Sequence, residues 1–252
     1  MIVIENLNKA YGPTPCLEGV DLTIAAGGVT SIIGPNGAGK STLLSLVARL
    51  LDKDDGRISV DGLDIDRTKS EVLAQRLSIL RQDNHIASRL TVRDLVSFGR
   101  YPYSRGRLTA MDQAKVDEAI GFLHLEELAG RYLDELSGGQ RQRAHIAMVL
   151  CQDTDYVLLD EPLNNLDMKH ARNMMQLIRR AADELGKTVV LVLHDINFAS
   201  WYSDHIVAMK NGRVVRSGPC REIMEPEVLS AIYDMEIAVQ EIGGKRISLF
   251  YA

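Results

Sequence analysis

Nine consecutive residues, Gly34-Pro35-Asn36-Gly37-Ala38-Gly39-Lys40-Ser41-Thr42, restrict this chain more than any other segment. Gly34 to Ser41 satisfies the spacing G-x-x-x-x-G-K-[ST]. The apolar run 29–33 before it reads as a strand, and Leu43, Leu46, Val47 and Leu50 after it recur at helical spacing. A glycine-rich loop between strand and helix lets backbone N–H groups turn inward around a phosphate, and the helix dipole favours the anion. In that pattern Lys40 reaches the β- and γ-phosphates, the Ser41 hydroxyl ligates Mg²⁺, and Thr42 adds a hydroxyl to the α-phosphate. ATP with Mg²⁺ is therefore the expected ligand.

The rest of the chain is read around that loop. Segments 1–7, 20–25 and 29–33 read as β structure, broken at Gly12-Pro13 and Gly27-Gly28. Residues 58–60 followed by Asp61-Gly62 suggest a hairpin, and with it a small antiparallel patch near the front. From 84 to 154 the pattern is mainly helical: Val116, Ala119, Ile120 and Leu123 make one apolar stripe, and 143–150 continues a second helix. Before them, Phe98-Gly-Arg-Tyr-Pro-Tyr-Ser-Arg-Gly-Arg reads as a basic, aromatic and poorly periodic loop, either a solvated surface or a contact for a partner.

The α/β pattern then resumes. Residues 156–159 form a short apolar strand, and Ala171, Met174, Met175, Ile178, Ala182 and Leu185 mark a helix. Residues 188–193 are a continuous β-branched and leucine run, as expected of a strand buried on both faces. Strand, helix, strand in this order predicts a parallel unit. Segments 206–210 and 213–215 around Asn211-Gly212 form a hairpin. The expected architecture is one α/β domain: a mainly parallel core from 1–83 and 155–252 with the antiparallel patch, and a helical lobe at 84–154.

Two further constellations belong with the loop. Residues 156–159 end in Asp160-Glu161-Pro162, and a buried strand ending in two acids can deliver charge to a metal. Asp160 would hold Mg²⁺ through a water, and Glu161 would polarise the attacking water. Leu136-Ser137-Gly138-Gly139-Gln140, followed by Arg141-Gln-Arg and an apolar helix, is a second candidate anion site at a helix N-terminus. An ordinary N-cap also accounts for Ser137, but leaves the pentapeptide as coincidence.

With these segments in order, the chain resembles, over essentially its full length, the nucleotide-binding subunit of an ABC (ATP-binding cassette) transporter. The resemblance is carried by the glycine-rich loop, Gln82, the pentapeptide 136–140, Asp160-Glu161 and His194. The resemblance implies a phosphate-loop NTPase core and two copies packed head to tail, so that Ser137, Gly138, Gly139 and Gln140 of one chain close over the ATP of the other. It implies that Gln82 contacts Mg²⁺ and the catalytic water and relays nucleotide state to a membrane permease. It further implies that His194 touches the γ-phosphate, that Tyr11 stacks on adenine, and that Asp167 ends the dimer-contact loop. In that loop Asn164-Asn165 depart from the small residues common in the family.

The segment Leu90-Thr-Val-Arg-Asp-Leu-Val-Ser-Phe-Gly-Arg-Tyr-Pro-Tyr resembles the helical lobe of importers for ferric siderophores, haem and cobalamin, with iron–siderophore importers of the catecholate type, such as those for petrobactin, the nearest in likeness. Gln152-Asp-Thr-Asp-Tyr, Leu163-Asn-Asn-Leu-Asp-Met-Lys-His and His194-Asp-Ile-Asn-Phe-Ala support it. The implied setting is the cytoplasmic face of the cell membrane, with a substrate-binding protein acting indirectly. Another cargo, or a non-transport ABC ATPase, stays open at this point.

Bulk properties fit. A net charge of −5 argues against a nucleic-acid partner, which needs a basic face. Cys16, Cys151 and Cys220 are scattered and odd in number, as for reduced thiols. The N-terminal residues lack the apolar stretch of a signal peptide, and no apolar run approaches the roughly 18 residues of a membrane span.

Overall fold

The computed structural model describes residues 1–82 and 89–250, so the expected boundary between core and lobe at 83/84 lies outside the described residues. The chain opens with β1 (Ile2–Tyr11), β2 (Thr14–Ile24) and β3 (Gly28–Ile33), followed by the glycine loop and α1 (Lys40–Val47). Next come β4 (Asp55–Val60), β5 (Leu63–Asp64), α2 (Ser70–Ala74) and β6 (Leu77–Leu80). Strands β2-β1-β4-β5 form the antiparallel patch, with Asp61 and Gly62 turning at positive φ between β4 and β5. The structure extends β1 and β2 to meet across Gly12-Pro13, and it ends α1 at Val47, leaving Leu50 exposed.

Between β6 and β7 the described elements are helical. They include α3 (Val92–Ser97), a 3₁₀ turn at Phe98–Arg100, α4 (Tyr101–Ser104), α5 (Ala110–Phe122) and α6 (Gly138–Cys151). Thr91, Thr109 and Ser137 each close a capping box at the start of α3, α5 and α6. The aromatic, basic segment is thus helical from Phe98 to Ser104, and only its last residues form a turn. Gly99 allows the turn to lie against α6, since a Cβ there would come 2.2 Å from the Met148 carbonyl oxygen. Nor is its first arginine a surface charge: Arg100 is buried, pairs with Asp112 at 3.0 Å and donates to the Cys151 carbonyl at 2.9 Å. Phe98 and Tyr101 remain exposed.

The chain continues through β7 (Tyr156–Asp160), α7 (Met168–Leu185), β8 (Thr188–Val192), α8 (Ile196–Tyr202), β9 (His205–Lys210) and β10 (Arg213–Pro219). The main sheet has the order β10-β9-β3-β8-β7-β6, parallel except for the antiparallel edge strand β10. Every residue of β7 and β8 is buried, because both sheet faces are covered. Ile32, Leu158, Val190 and Val207 face a core shared with α1 and the antiparallel patch. Ile33, Val157, Leu159 and Leu191 face the other core with α3, α5, α6 and α7. The α7 stripe is buried as expected from Ala171 to Ala182, whereas Leu185 at its end is exposed.

A C-terminal tail, unread from the pattern, adds α9 (Cys220–Ile223), α10 (Pro226–Tyr233) and the hairpin β11 (Ala238–Ile242) and β12 (Lys245–Leu249). The hairpin grips α8. Ser248 donates from its backbone and its hydroxyl to Asn197 Oδ1 at 2.7 and 2.9 Å, and the Ser200 hydroxyl donates to the Arg246 carbonyl. Among the described residues no helix is long and apolar enough to cross a membrane.

Candidate functional site

Parallel register assembles the site. Ile32 of β3 partners Val192 of β8, Leu159 of β7 partners Leu191 of β8, and Leu80 of β6 partners Leu159. Two residues beyond Ile32, Val192, Leu159 and Leu80 stand Gly34, His194, Glu161 and Gln82. The segments that looked unrelated in sequence therefore emerge side by side at the carboxyl ends of neighbouring strands, where open α/β sheets place ligands.

The loop 34–42 takes its shape from three glycines at positive φ. Gly34 has φ 143°, and a Cβ there would lie 2.0 Å from the Met209 carbonyl oxygen. Gly39 has φ 93° and sits against Leu17 and the Cys16 carbonyl, while Gly37 has φ 78° and faces open space. Pro35 accepts from the Ala38 amide at 3.2 Å, and Asn36 is exposed at the tip of this turn. Lys40 is buried and donates to the Gly34 and Pro35 carbonyls at 2.9 and 3.0 Å. Burial holds its ammonium pKa below the ordinary value, partly opposed by the nearby Glu161 and Asp160 carboxylates. A cation kept in this state gains by meeting a phosphate.

Ser41 donates to Asp160 Oδ1 at 2.8 Å across the floor of the site. Burial raises the Asp160 pKa, the Ser41 hydrogen bond lowers it, and the Glu161 charge raises it. One hydroxyl and one carboxylate, both hard oxygen donors, fit a magnesium ion that also keeps waters and phosphate oxygens. No group of three or more His, Cys, Asp or Glu side chains able to hold a metal occurs among the described residues. Thr42 accepts from the Cys16 thiol at 3.4 Å.

Glu161 lies at the centre. Its backbone is left-handed at φ 50°, an unfavourable state for a residue with a Cβ. Its side chain is 10% exposed. His194 Nε2 lies 2.6 Å from Oε1, while Gln82 Nε2 donates to Oε2 at 2.8 Å and Asn164 Nδ2 at 2.5 Å. In sequence Asn164 is only a departure from the family's small residues; the turn after Glu161 brings residues three apart together, and that spacing is the signal for the contact.

The remaining candidates lie apart. Ser137 caps α6, accepting from the Gln140 amide at 3.3 Å while Gln140 Oε1 accepts from the Ser137 amide at 2.9 Å. Ser137 and Gly138 are exposed. Among the described residues no hydrogen bond or ion pair joins this helix start to the 34–42 loop. It touches the segment after Glu161 instead: Gln142 donates to the Pro162 carbonyl at 2.9 Å, and Gly139 leaves space for the His170 ring. Asp167 caps α7 and accepts from the His170 amide at 2.8 Å. Tyr11 ends β1, about half exposed, with Lys9 Nζ 5.9 Å from its ring centroid.

A strand-loop-helix cradle with a buried lysine, a serine–aspartate pair and a second carboxylate beside it defines a phosphate-loop nucleotide hydrolase. The ABC transporter family profile matches residues 17–164, and the chain belongs to the ABC transporter family. It is 55% identical over 252 residues to the petrobactin import ATP-binding protein YclP of Bacillus subtilis (strain 168), covering 100% of each chain. It is 54% identical over 239 residues to the petrobactin import ATP-binding protein FatE of Bacillus anthracis, covering 95% of this chain and 96% of that one. Among solved structures, the dimeric post-hydrolysis state of the ATP-binding cassette MJ0796 bound to ADP and Pi superposes with a TM-score of 0.77 at 32% identity, covering 88% of this chain and 99% of that one. ATP binding and hydrolysis are the family's activity, and the mixed sheet with its antiparallel patch and helices is the family's fold.

Proposed function

We propose that this chain is the ATP-hydrolysing subunit of an importer for a ferric siderophore of the petrobactin type. It works as a peripheral protein on the cytoplasmic face of the membrane, beneath a separate permease that a substrate-binding protein loads. The convergence of Gln82 and His194 on Glu161, beside the loop carrying Lys40, is the observation that carries the reading. The full-length likeness to two petrobactin import subunits supports the cargo.

In this reading Lys40 and the loop amides bind the phosphates, and Tyr11 stacks on the adenine. Ser41 and, through a water, Asp160, with Gln82 at the edge, would hold Mg²⁺, which when bound would neutralise charge on the phosphate oxygens. Glu161 accepts a hydrogen bond from a water and aligns it on the γ-phosphorus; the bond to the ADP oxygen breaks as the water oxygen bonds to phosphorus, and the water's proton passes to Glu161 and from there to the phosphate product. His194 touches the γ-phosphate from beside the Glu161 carboxylate, which its Nε2 meets at 2.6 Å. Ser137–Gly139 of a second copy add amides where charge develops, so the working unit is a head-to-tail dimer around two ATP. Residues 1–83 with 155–252 act as the core and 84–154 as the lobe that meets the permease.

Coexpression with candidate permeases and uptake of labelled ferric siderophores of several classes test this reading. Co-purification with a permease and ATP-dependent uptake of a catecholate siderophore are expected. Uptake of haem or cobalamin instead would reassign the cargo, and nucleic-acid-stimulated hydrolysis without any permease would overturn the transport role.

A further inference from the structure

The turn that follows Glu161 places a second side-chain amide on its carboxylate. Asn164 Nδ2 donates to Glu161 Oε2 at 2.5 Å, on the same oxygen that Gln82 occupies at 2.8 Å. A carboxylate oxygen accepts about two hydrogen bonds in its plane. Oε2 is therefore saturated, while Oε1, with His194 Nε2 at 2.6 Å, keeps one acceptor direction free.

The turn is built to keep this arrangement. Asn164 donates its backbone amide to the Glu161 carbonyl at 3.2 Å, and Gln142 from α6 anchors the intervening Pro162 carbonyl at 2.9 Å. Glu161 and Asn165 both sit at positive φ, at 50° and 60°. Such backbone persists only where neighbours over-determine it. Gln82 comes from another strand end and is itself assigned to the metal and the water. Asn164 is three residues from Glu161 in one turn, so its hold does not depend on where Gln82 points.

Resting on the reading of Glu161 as the water-aligning carboxylate, we infer that Asn164 is a positioning residue that fixes which oxygen of Glu161 meets the water. Together with Gln82 it fills Oε2 and so presents Oε1 to the nucleophile, and the Pro162 carbonyl of the same turn, held by Gln142, ties that orientation to the helix that closes on a second copy's ATP.

The test uses the full chain and Mg-ATP. Asn164→Ala should lower kcat about tenfold, the scale of losing one hydrogen bond to a charged acceptor, with KM for ATP and the melting temperature little changed. Asn164→Asp, isosteric but without the donor and bearing a like charge, should fall further, and Asn164→Gln should recover part of the loss. In a Glu161→Gln background Asn164→Ala should leave the residual rate unchanged and still permit ATP-induced dimers by light scattering. Wild-type kcat in both Asn164→Ala and Asn164→Asp would overturn the inference, as would an equal loss in the Glu161→Gln background. Loss of the ATP-induced dimer would assign Asn164 to the copy–copy contact instead and would likewise overturn it. Near wild-type turnover of Glu161→Gln by itself would fail the underlying reading, an outcome distinct from all of these.

Discussion

Gln82 Nε2 donates to Glu161 Oε2 at 2.8 Å, each residue standing two positions beyond the register partners Leu80 and Leu159. The contact links the end of β6 to the residue assigned to the attacking water. Replacing Glu161 with Gln keeps the shape but removes the carboxylate. Turnover should fall about 10²- to 10⁴-fold, the range for a lost general base, while ATP still binds and an ATP-bound dimer accumulates on size-exclusion chromatography. Monomers at saturating Mg-ATP would count against the dimer.

Lys40 acts earlier, in binding. Its ammonium is buried against loop carbonyls and pushed down in pKa by that burial. Lys40→Ala should weaken ATP binding about ten- to a hundredfold, the scale of a charge-assisted hydrogen bond, as measured by titration with a fluorescent nucleotide. Unchanged affinity would refute the assignment.

Gly34 is a backbone requirement. A methyl group there would come 2.0 Å from the Met209 carbonyl oxygen at φ 143°. Gly34→Ala should destabilise the fold by about 3 kcal/mol and abolish nucleotide binding together, seen in urea unfolding and in nucleotide titration. Wild-type stability would show that β9 yields more easily than its contacts indicate.

Arg100 and Asp112 form a buried pair with both side chains 6% exposed. Arg100→Leu leaves Asp112 with its Thr109 partners but no cation, at a cost of about 3 kcal/mol, while the ATP affinity of the folded protein should hold. Thermal unfolding and nucleotide titration on the same sample separate the two effects.

His145 on α6 is buried, its Nδ1 has no hydrogen-bond partner among the described residues, and burial, then the Arg141 charge, lowers its pKa from 6.5. A histidine depressed in the folded state binds its proton more readily when unfolded, so stability falls as pH drops below about 6.5. His145→Leu should flatten that acid limb of the unfolding free energy between pH 7 and 5. An unchanged slope would place the acid sensitivity elsewhere.

Much of this was readable from residues alone, for physical reasons. The strands 156–159 and 188–193 announce themselves because burial on both faces favours apolar side chains, and the loop 34–42 because glycine best tolerates its φ values. Register carried the rest: that Gln82, Glu161 and His194 meet depends on which strands neighbour each other, which no local spacing encodes. Arg100 shows the opposite error. A run of arginines and tyrosines looks like surface, yet one arginine turned inward because Asp112 and the Cys151 carbonyl satisfy it there. The tail after residue 220 has short, weakly alternating strands whose fit is set by α8, not by their own pattern.

That tail reaches the chemistry by a short route. Asp195 alone separates His194 from α8, and α8 is fastened through Asn197 and Ser200 to a hairpin 51 positions further along the chain at Ser248. The hairpin behaves as a chock behind the histidine. Mutational drift in the last strand would consequently surface as altered turnover in a protein that still folds, which makes the least distinctive stretch of the sequence a place where the motor's pace can be tuned.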